Sequence, residues 1–412
     1  MRPGRSALLA VIVVVLAAAA GFLAMEAGYR TWVWASQPSS LPKAATGDRI
    51  DIGVYDRSHW EYDPDYGFRY PPGRRIAYTH IVTDRVTRCA TVDTINARGN
   101  IGPIRGDYDS AGLKVALFGD SFPAFIQDGT TFPALLQDRL EAATGEDVHV
   151  LNFGRDGTGI LQILDLAAGM VAEWQPDLAV ITFITDDLRR VRIWRTVTER
   201  DGETRVLTTT TPDPDPPLEA AADTYVVDAR ATGEWCRQTL AAGGQSPLVD
   251  RLAERYRNIA KGALHTSDGI LDLGHSFLLS RILYGNPFLT EPRFRVPKLD
   301  LDDFRDDPGF RAAVDRLQAS GVPVVLVHLP IYPEVLAGEI QFRGSDRALW
   351  DSLEAAFGQP IDSLLPHWPD LPDPAVMNAS PQDYHPSPTG MAIIADGIRQ
   401  VLRDRGALDR PQ

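Results

Sequence analysis

Val115-Ala116-Leu117-Phe118-Gly119-Asp120-Ser121-Phe122 opens the regularly patterned part of the chain. Four apolar residues ending at a glycine read as a short buried strand. Outward from it, Phe132, Leu135, Leu136 and Leu140 fall on one face of a helix, and Val148 to Phe153 forms a second strand. Ile160 to Trp174 reads as a second amphipathic helix, with Leu161, Leu164 and Met170 among its apolar positions, and Leu178 to Phe183 as a third strand. Strand–helix alternation of this kind predicts right-handed crossovers and a parallel sheet covered on both faces.

The alternation pauses over 191–305. Ile193 to Thr208 reads as a β-hairpin turning at Asp201-Gly202, a pair suited to a type I′ turn. Pro212-Asp213-Pro214-Asp215-Pro216-Pro217 is a stiff linker, and Ser246-Pro247 starts a helix with Leu248, Leu252, Tyr256 and Ile259 on its apolar face. This stretch is expected to be an insertion, a candidate cap. The pattern resumes with a helix around Phe310, Val314 and Leu317, a fourth strand from Val322 to Leu329, and a last helix from Ser387-Pro388 carrying Met391, Ile394, Ile398 and Val401. The expected body is a three-layer α/β domain over 111–190 and 306–412. Ligand sites in open parallel sheets lie at the strand C-termini.

The 412 residues carry 41 Lys+Arg and 55 Asp+Glu, a net charge of −14, with no basic stripe. Phosphate neutralisation needs clustered cations, so nucleic acid is not an expected partner. Hydrophobic content of 44% and the lack of a dominant repeat indicate a globular body with a sizeable core. Ala7 to Ala24 is uncharged and follows Arg2 and Arg5. Eighteen apolar residues as a helix span about 27 Å, close to the hydrocarbon thickness of a bilayer. The expectation is a membrane helix over 1–25 with the body outside the cytoplasm. A signal peptide cut near Ala18-Ala19-Ala20 is the other reading, giving a secreted protein. Residues 26–110, rich in turn formers such as Asp63-Pro64-Asp65-Tyr66-Gly67, are expected to be a stalk and an arm packed on the main domain.

Cys89 and Cys236 are the only cysteines. They are either one disulfide or two unrelated thiols. Two cysteines make no thiolate zinc site, no metal-ligand spacing stands out among the eight histidines, and His328 reads as a strand-end histidine. No cofactor or metal is expected. Asn378-Ala379-Ser380 matches a glycosylation sequon, a triplet that also arises by chance.

Chemistry concentrates at two places. Ser121 follows the first strand and precedes a helix, which exposes its hydroxyl beside backbone N–H groups; Asp-Ser after glycine is also a common helix cap. Asp383-Tyr384-His385-Pro386 precedes the last helix, where an Asp two residues before a His can steer a general base. Both lie in loops expected at one sheet edge.

With these residues in view, the sequence resembles the SGNH/GDSL hydrolases. Val115 to Phe122 is similar to their first block, Asn152-Phe153-Gly154-Arg155-Asp156-Gly157-Thr158-Gly159 to the second, Pro176 to Leu188 to the third, and Asp383 to Pro386 followed by Gly390 to the last. The likeness covers roughly 112–190 and 308–405. Met25's neighbours Glu26-Ala27-Gly28-Tyr29-Arg30 also resemble envelope-anchored members. The resemblance implies a flavodoxin-like SGNH domain, with Ser121 as nucleophile, His385 as general base and Asp383 as orienting carboxylate. The N–H groups of Ser121 and Gly157 would be two arms of an oxyanion hole. It implies an O-acyl ester as substrate, small or on an envelope glycan and O-acetyl among the candidates, and hydrolysis or acyl transfer through one acyl-enzyme.

The third block departs from the family. Where it has an asparagine whose amide donates to the oxyanion, this chain has Asp186. An ionised carboxylate accepts and does not donate. Four accounts stay open: Asp186 is protonated, another donor replaces it, the alignment slips by a residue, or hydrolysis is lost and the scaffold binds glycan or protein. Burial and the adjacent Asp187 would favour protonation.

Overall fold

The computed structural model describes residues 17–29, 31, 51–55, 60–73, 78–82, 85–90, 95–96, 99–102, 108–126, 130–200, 203–217, 222–225, 232–245, 247, 298–331, 335–336, 339–342, 344–368, 374–380 and 383–409. Two compact units divide the chain: Met1–Ile52, Ile81–Thr87 and Thr239–Arg293 in one, and Gly53–His80, Arg88–Gln238 and Phe294–Gln412 in the other.

The second unit is built on five parallel strands: β1 (Leu113–Gly119), β2 (Val148–Gly154), β3 (Leu178–Phe183), β4 (Val324–His328) and β5 (Asp362–Ser363). Their order is β5-β4-β3-β1-β2, with β1 paired to both β2 and β3. Read from the β2 edge, this is the doubly wound order of flavodoxin-like sheets.

Five helices cover it: α1 (Phe132–Thr144), α2 (Ile160–Trp174), α3 (Pro308–Ala319), α4 (Asp346–Phe357) and α5 (Pro388–Asp404). Strand side chains alternate between the layers because the pleat has a period of two. Leu113, Val115 and Leu117 of β1 pack with Phe132 and Leu136 of α1 and with Met391 and Ile394 of α5. Ala116 and Phe118 face the other way, toward Ile160 and Leu164 of α2, Val314 of α3 and Leu349 of α4. Every residue of β3 is buried, as a central strand of a two-sided sheet requires. Each such Val, Leu, Ile or Phe contributes about 1.5–3 kcal/mol by leaving water.

The expected strands and helices of the body are present. α4 and β5 are additions that the sequence reading did not contain. The fourth strand is shorter than expected, starting at Val324, because Pro323 has no N–H to give to the ladder. Trp194–Arg200 and Glu203–Thr209 pair antiparallel across 201–202, and Ala222–Tyr225 adds to the second of them. Trp60, Phe68, Tyr70, Ile95 and Ile101 form a further buried cluster with Ala124, Ile126, Ile193 and Val206. Ile101 also bridges to Asn152 of β2.

Of the apolar amino-terminal run, residues 17–24 lie in the described helix 17–29, and 7–16 lie outside the described residues. Among the described residues no helix is long and apolar enough to cross a membrane, so the expected membrane helix is without structural support. The expected helix after Ser246, apart from residue 247, and the side chains of Cys89 and Cys236 also lie outside the described residues.

Candidate active site

At the end of β1 the chain turns into a single helical turn, Ser121–Ala124. Asp120 caps it: its Oδ1 accepts the Phe122 N–H at 2.9 Å, which fixes the turn that presents Ser121. The Ser121 hydroxyl is 3.2 Å from Asp120 Oδ2 and 2.8 Å from His385 Nε2.

His385 arrives from the far end of the chain. It lies on the strand Asp383–Pro386, which pairs with Asn378–Ser380, and Ser387 then caps α5 by accepting the Gly390 N–H at 3.0 Å. The imidazole stacks on Phe125, centroids 4.5 Å apart and planes at 9°, and tilts against Phe122 at 5.3 Å. The backbone of Asp383 is two residues away on the same strand; its side chain lies outside the described residues.

The loop after β2 carries Gly157, at φ +71°. Hydrogen bonds join the end of β2 and this loop to the Ser121 turn and to the arm. Asn152 Nδ2 donates to Pro123 O at 2.7 Å, the Arg155 N–H donates to Gly119 O at 3.0 Å, and the Arg155 guanidinium donates to Tyr66 O at 3.1 Å. Arg155 also donates to Phe68 O. Burial among these carbonyls and rings lowers the Arg155 pKa to about 10. In the sequence Asn152 and Arg155 stand out only as parts of the second block. Their structural use depends on acceptors far away along the chain.

After β3, the short turn of helix Thr185–Arg189 carries the two acidic residues of the third block. Asp187 is fully buried; its Oδ2 accepts the Ile184 N–H at 2.9 Å and its Oδ1 pairs with Arg190 Nη1 at 2.6 Å. Burial, then the neighbouring Asp120, push the Asp187 pKa well above the usual carboxylate range, against the pull of Arg190 and the Ile184 N–H.

Asp186 is the opposite case, and its surroundings speak against the protonated form, the first of the four open accounts. Burial does disfavour its charge, but Lys298 and Arg190 outweigh that and hold its pKa below the ordinary value. Lys298 Nζ lies at 3.0 Å, Arg190 Nε at 3.1 Å and Arg189 Nη2 at 3.1 Å. Asp186 is therefore a carboxylate accepting from three cations and donates nothing to an oxyanion. The sequence showed the repelling neighbour Asp187 but not Lys298, which is 112 residues away.

His328, at the end of β4, is fully buried, with Nε2 at 3.0 Å from Thr185 Oγ1 and Nδ1 at 3.2 Å from Ser363 Oγ. Among the described residues no group of His, Cys, Asp or Glu side chains has the arrangement of a metal site.

Residues 115–213, about a quarter of the chain, match the family described as GDSL-like lipase/acylhydrolase. The match is to ester-hydrolysing enzymes, and the matched segment holds Ser121, Gly157 and the third block. No curated protein matches the chain. Three solved structures are similar at a TM-score of 0.33. A lipase/acylhydrolase from Enterococcus faecalis shares 13% identity over 71% of this chain and 96% of its own. An α/β hydrolase enzyme from the metagenome of Lake Arreo shares 13% over 74% and 99%. Axe2, an acetylxylan esterase from Geobacillus stearothermophilus, shares 14% over 72% and 95%.

Proposed function

We propose that this GDSL-family chain is a serine esterase in which Ser121 is the nucleophile, His385 the general base and then acid, and Asp383 the carboxylate that orients it. The observation that carries the reading is the 2.8 Å approach of His385 Nε2 to Ser121 Oγ across 264 residues of sequence. That distance is within direct proton-transfer reach. His385 takes the hydroxyl proton as Ser121 Oγ attacks the ester carbonyl, and returns it to the leaving alcohol as the tetrahedral intermediate collapses to an acyl-enzyme. Water, activated by the same imidazole, then releases the acid. The N–H groups of Ser121 and Gly157 stabilise the oxyanion in both halves.

The substrate in this reading is an O-acyl ester, O-acetyl on a glycan being the leading case, and a sugar hydroxyl in place of water would make the same acyl-enzyme a transferase intermediate. The amino-terminal apolar run, in the same proposal, anchors the body on the outer side of the membrane.

The test uses the full-length chain. Turnover of p-nitrophenyl acetate and labelling by a fluorophosphonate are expected for the wild type, and both should vanish in Ser121→Ala. Labelling that persists in Ser121→Ala, or a wild type inert to both probes, would reject the reading.

A further inference from the structure

The third block poses a question that the esterase reading leaves open: what replaces the amide donor lost at position 186. We propose that Arg190 is the positioning residue that clamps the two backbone halves of the oxyanion hole together and offsets the carboxyl groups buried beside them. The inference rests on the esterase reading and deepens it.

Two acceptors and one ion-pair partner converge on Arg190 Nη1. It lies 3.3 Å from Asp120 Oδ2, 3.3 Å from Thr158 O and 2.6 Å from Asp187 Oδ1. Asp120 is the residue before Ser121, caps the turn that presents it, and accepts from its hydroxyl. Thr158 is the residue after Gly157. One nitrogen thus ties the loop after β1, which carries the Ser121 N–H, to the loop after β2, which carries the Gly157 N–H. The two donors come from different strands, so their separation is set by whatever links those loops. Arg190 does so through a rigid planar fork whose charge is not lost at any working pH.

Electrostatics asks for a cation at the same place. Asp120 and Asp187 have essentially no exposure, and both lie on the nucleophile's side of the sheet edge. Negative charge developing on the substrate carbonyl would arise beside two buried carboxyl groups that share one cation. The guanidinium between them offsets that field. Burial disfavours its charge, but Asp187, Asp120 and Asp186 more than compensate and raise its pKa above the ordinary value.

Asp186 then has a use that does not involve donation. It accepts from Arg190 Nε at 3.1 Å, on the edge of the guanidinium away from Nη1, and Lys298 holds it from the other side at 3.0 Å. Lys298 is itself set by a backbone bridge to Arg190 and by the Leu299 N–H, which donates to Arg189 O at 2.7 Å. The carboxylate thereby fixes the rotation of the fork and points Nη1 at Asp120, Thr158 and Asp187.

The experiment compares full-length wild type, Arg190→Lys, Arg190→Gln and the double variant Arg190→Gln/Asp187→Asn, which removes the carboxyl group that the single change would strand. Steady-state hydrolysis of p-nitrophenyl acetate is read beside the rate of Ser121 phosphonylation by a fluorophosphonate, with thermal melting as the folding control. Losing one good oxyanion donor costs about 10²–10³ in rate in a well-studied protease, and losing the alignment of two should cost at least about 10² in kcat. KM should change by no more than about threefold, since the clamp acts in the transition state. Phosphonylation should slow in parallel because it builds the same charge. Added guanidinium should restore part of the lost rate in the Gln variants, and Arg190→Lys should stay impaired for want of the fork. The double variant should melt like the wild type and still be slow. If the wild type is active and Arg190→Gln or the double variant comes within about threefold of its kcat, the proposal is overturned while the esterase reading stands. If kcat falls only as far as the folded fraction and guanidinium restores nothing, Arg190 is merely structural and the proposal is again overturned. A wild type inert toward both probes would remove the esterase reading and this inference with it.

Discussion

The Phe125 ring lies parallel to the His385 imidazole, its centroid 4.5 Å away and its plane within 9°. Phe122, one residue after the nucleophile, supports the same imidazole at 5.3 Å. Both rings therefore come from the segment that carries Ser121, and the general base is set by packing from the nucleophile's own loop. Phe125→Leu keeps apolar volume but removes the flat surface. Misplacing a reacting group by about 1 Å can cost 10²-fold, so kcat should fall about 10- to 100-fold with KM nearly unchanged. Steady-state kinetics on p-nitrophenyl acetate checks this; an unchanged kcat would mean that the stacking does not hold the base.

Asp186→Asn tests the carboxylate from the other side. A permanent amide donor at this position would raise kcat if Asp186 were a defective oxyanion donor. The three cations around it predict instead an equal or lower kcat near pH 7, because Arg190 loses the partner of its Nε. Stability should respond to pH in a defined direction. The folded pKa of Asp186 lies below its unfolded value, so its ionisation adds stability above about pH 4 and that gain is lost as pH falls through the folded pKa. The wild type should therefore exceed Asp186→Asn in urea midpoint at pH 7, and the gap should close in strong acid. A gap that widens on acidification would contradict the assigned charge state.

How far these arrangements could be read from the sequence depended on how local their causes are. β3 was legible because its six buried residues are apolar but for Thr182, and α2 because Leu161, Leu164 and Met170 are among its apolar positions. β5 was not, since Asp362-Ser363 is a two-residue strand that exists only by pairing with Val327 and His328. Ser121 and His385 could be named from local motifs, whereas their approach is a tertiary fact. The Asp186 charge state stayed open in the sequence because Asp187 is adjacent there, whereas Lys298 is adjacent only in space. For Arg190 only the pairs with Asp186 and Asp187, four and three residues earlier, are local; its acceptors Asp120 and Thr158 O sit on two other loops.

The proposed anchor makes a topological prediction. Arg2 and Arg5 precede the uncharged run from Ala7, and such residues stay on the cytoplasmic side. Alkaline phosphatase fused after Gln412 should be active in cells, and the fusion should pellet with membranes. An inactive fusion would reverse the orientation, and an active one in the soluble fraction would indicate cleavage of the amino-terminal segment.

Gly157 and Gly145 provide a matched pair. Both have left-handed backbone, at φ +71° and +73°. Gly145 ends α1, where its N–H donates to Glu141 O at 2.9 Å, and a Cβ built there would meet nothing within 4 Å. A Cβ on Gly157 would come 2.8 Å from Arg195 Nη2, in a cation held 4.5 Å over the Phe68 ring and 5.0 Å over Trp60. An alanine at either site has the same backbone penalty, about 1–2 kcal/mol. At Gly157 it must also displace Arg195 or shift the loop whose N–H is proposed to bind the oxyanion. Gly145→Ala should thus lower Tm and leave kcat within about twofold of the wild type, while Gly157→Ala should lower Tm at least as much and cut kcat by about 10²-fold or more. Fluorophosphonate labelling of Ser121 should slow only in the Gly157 variant. Equal kcat in the two variants would show that the loop after β2 contributes strain and packing but no oxyanion donor, and Gly157 would then leave the proposed machinery.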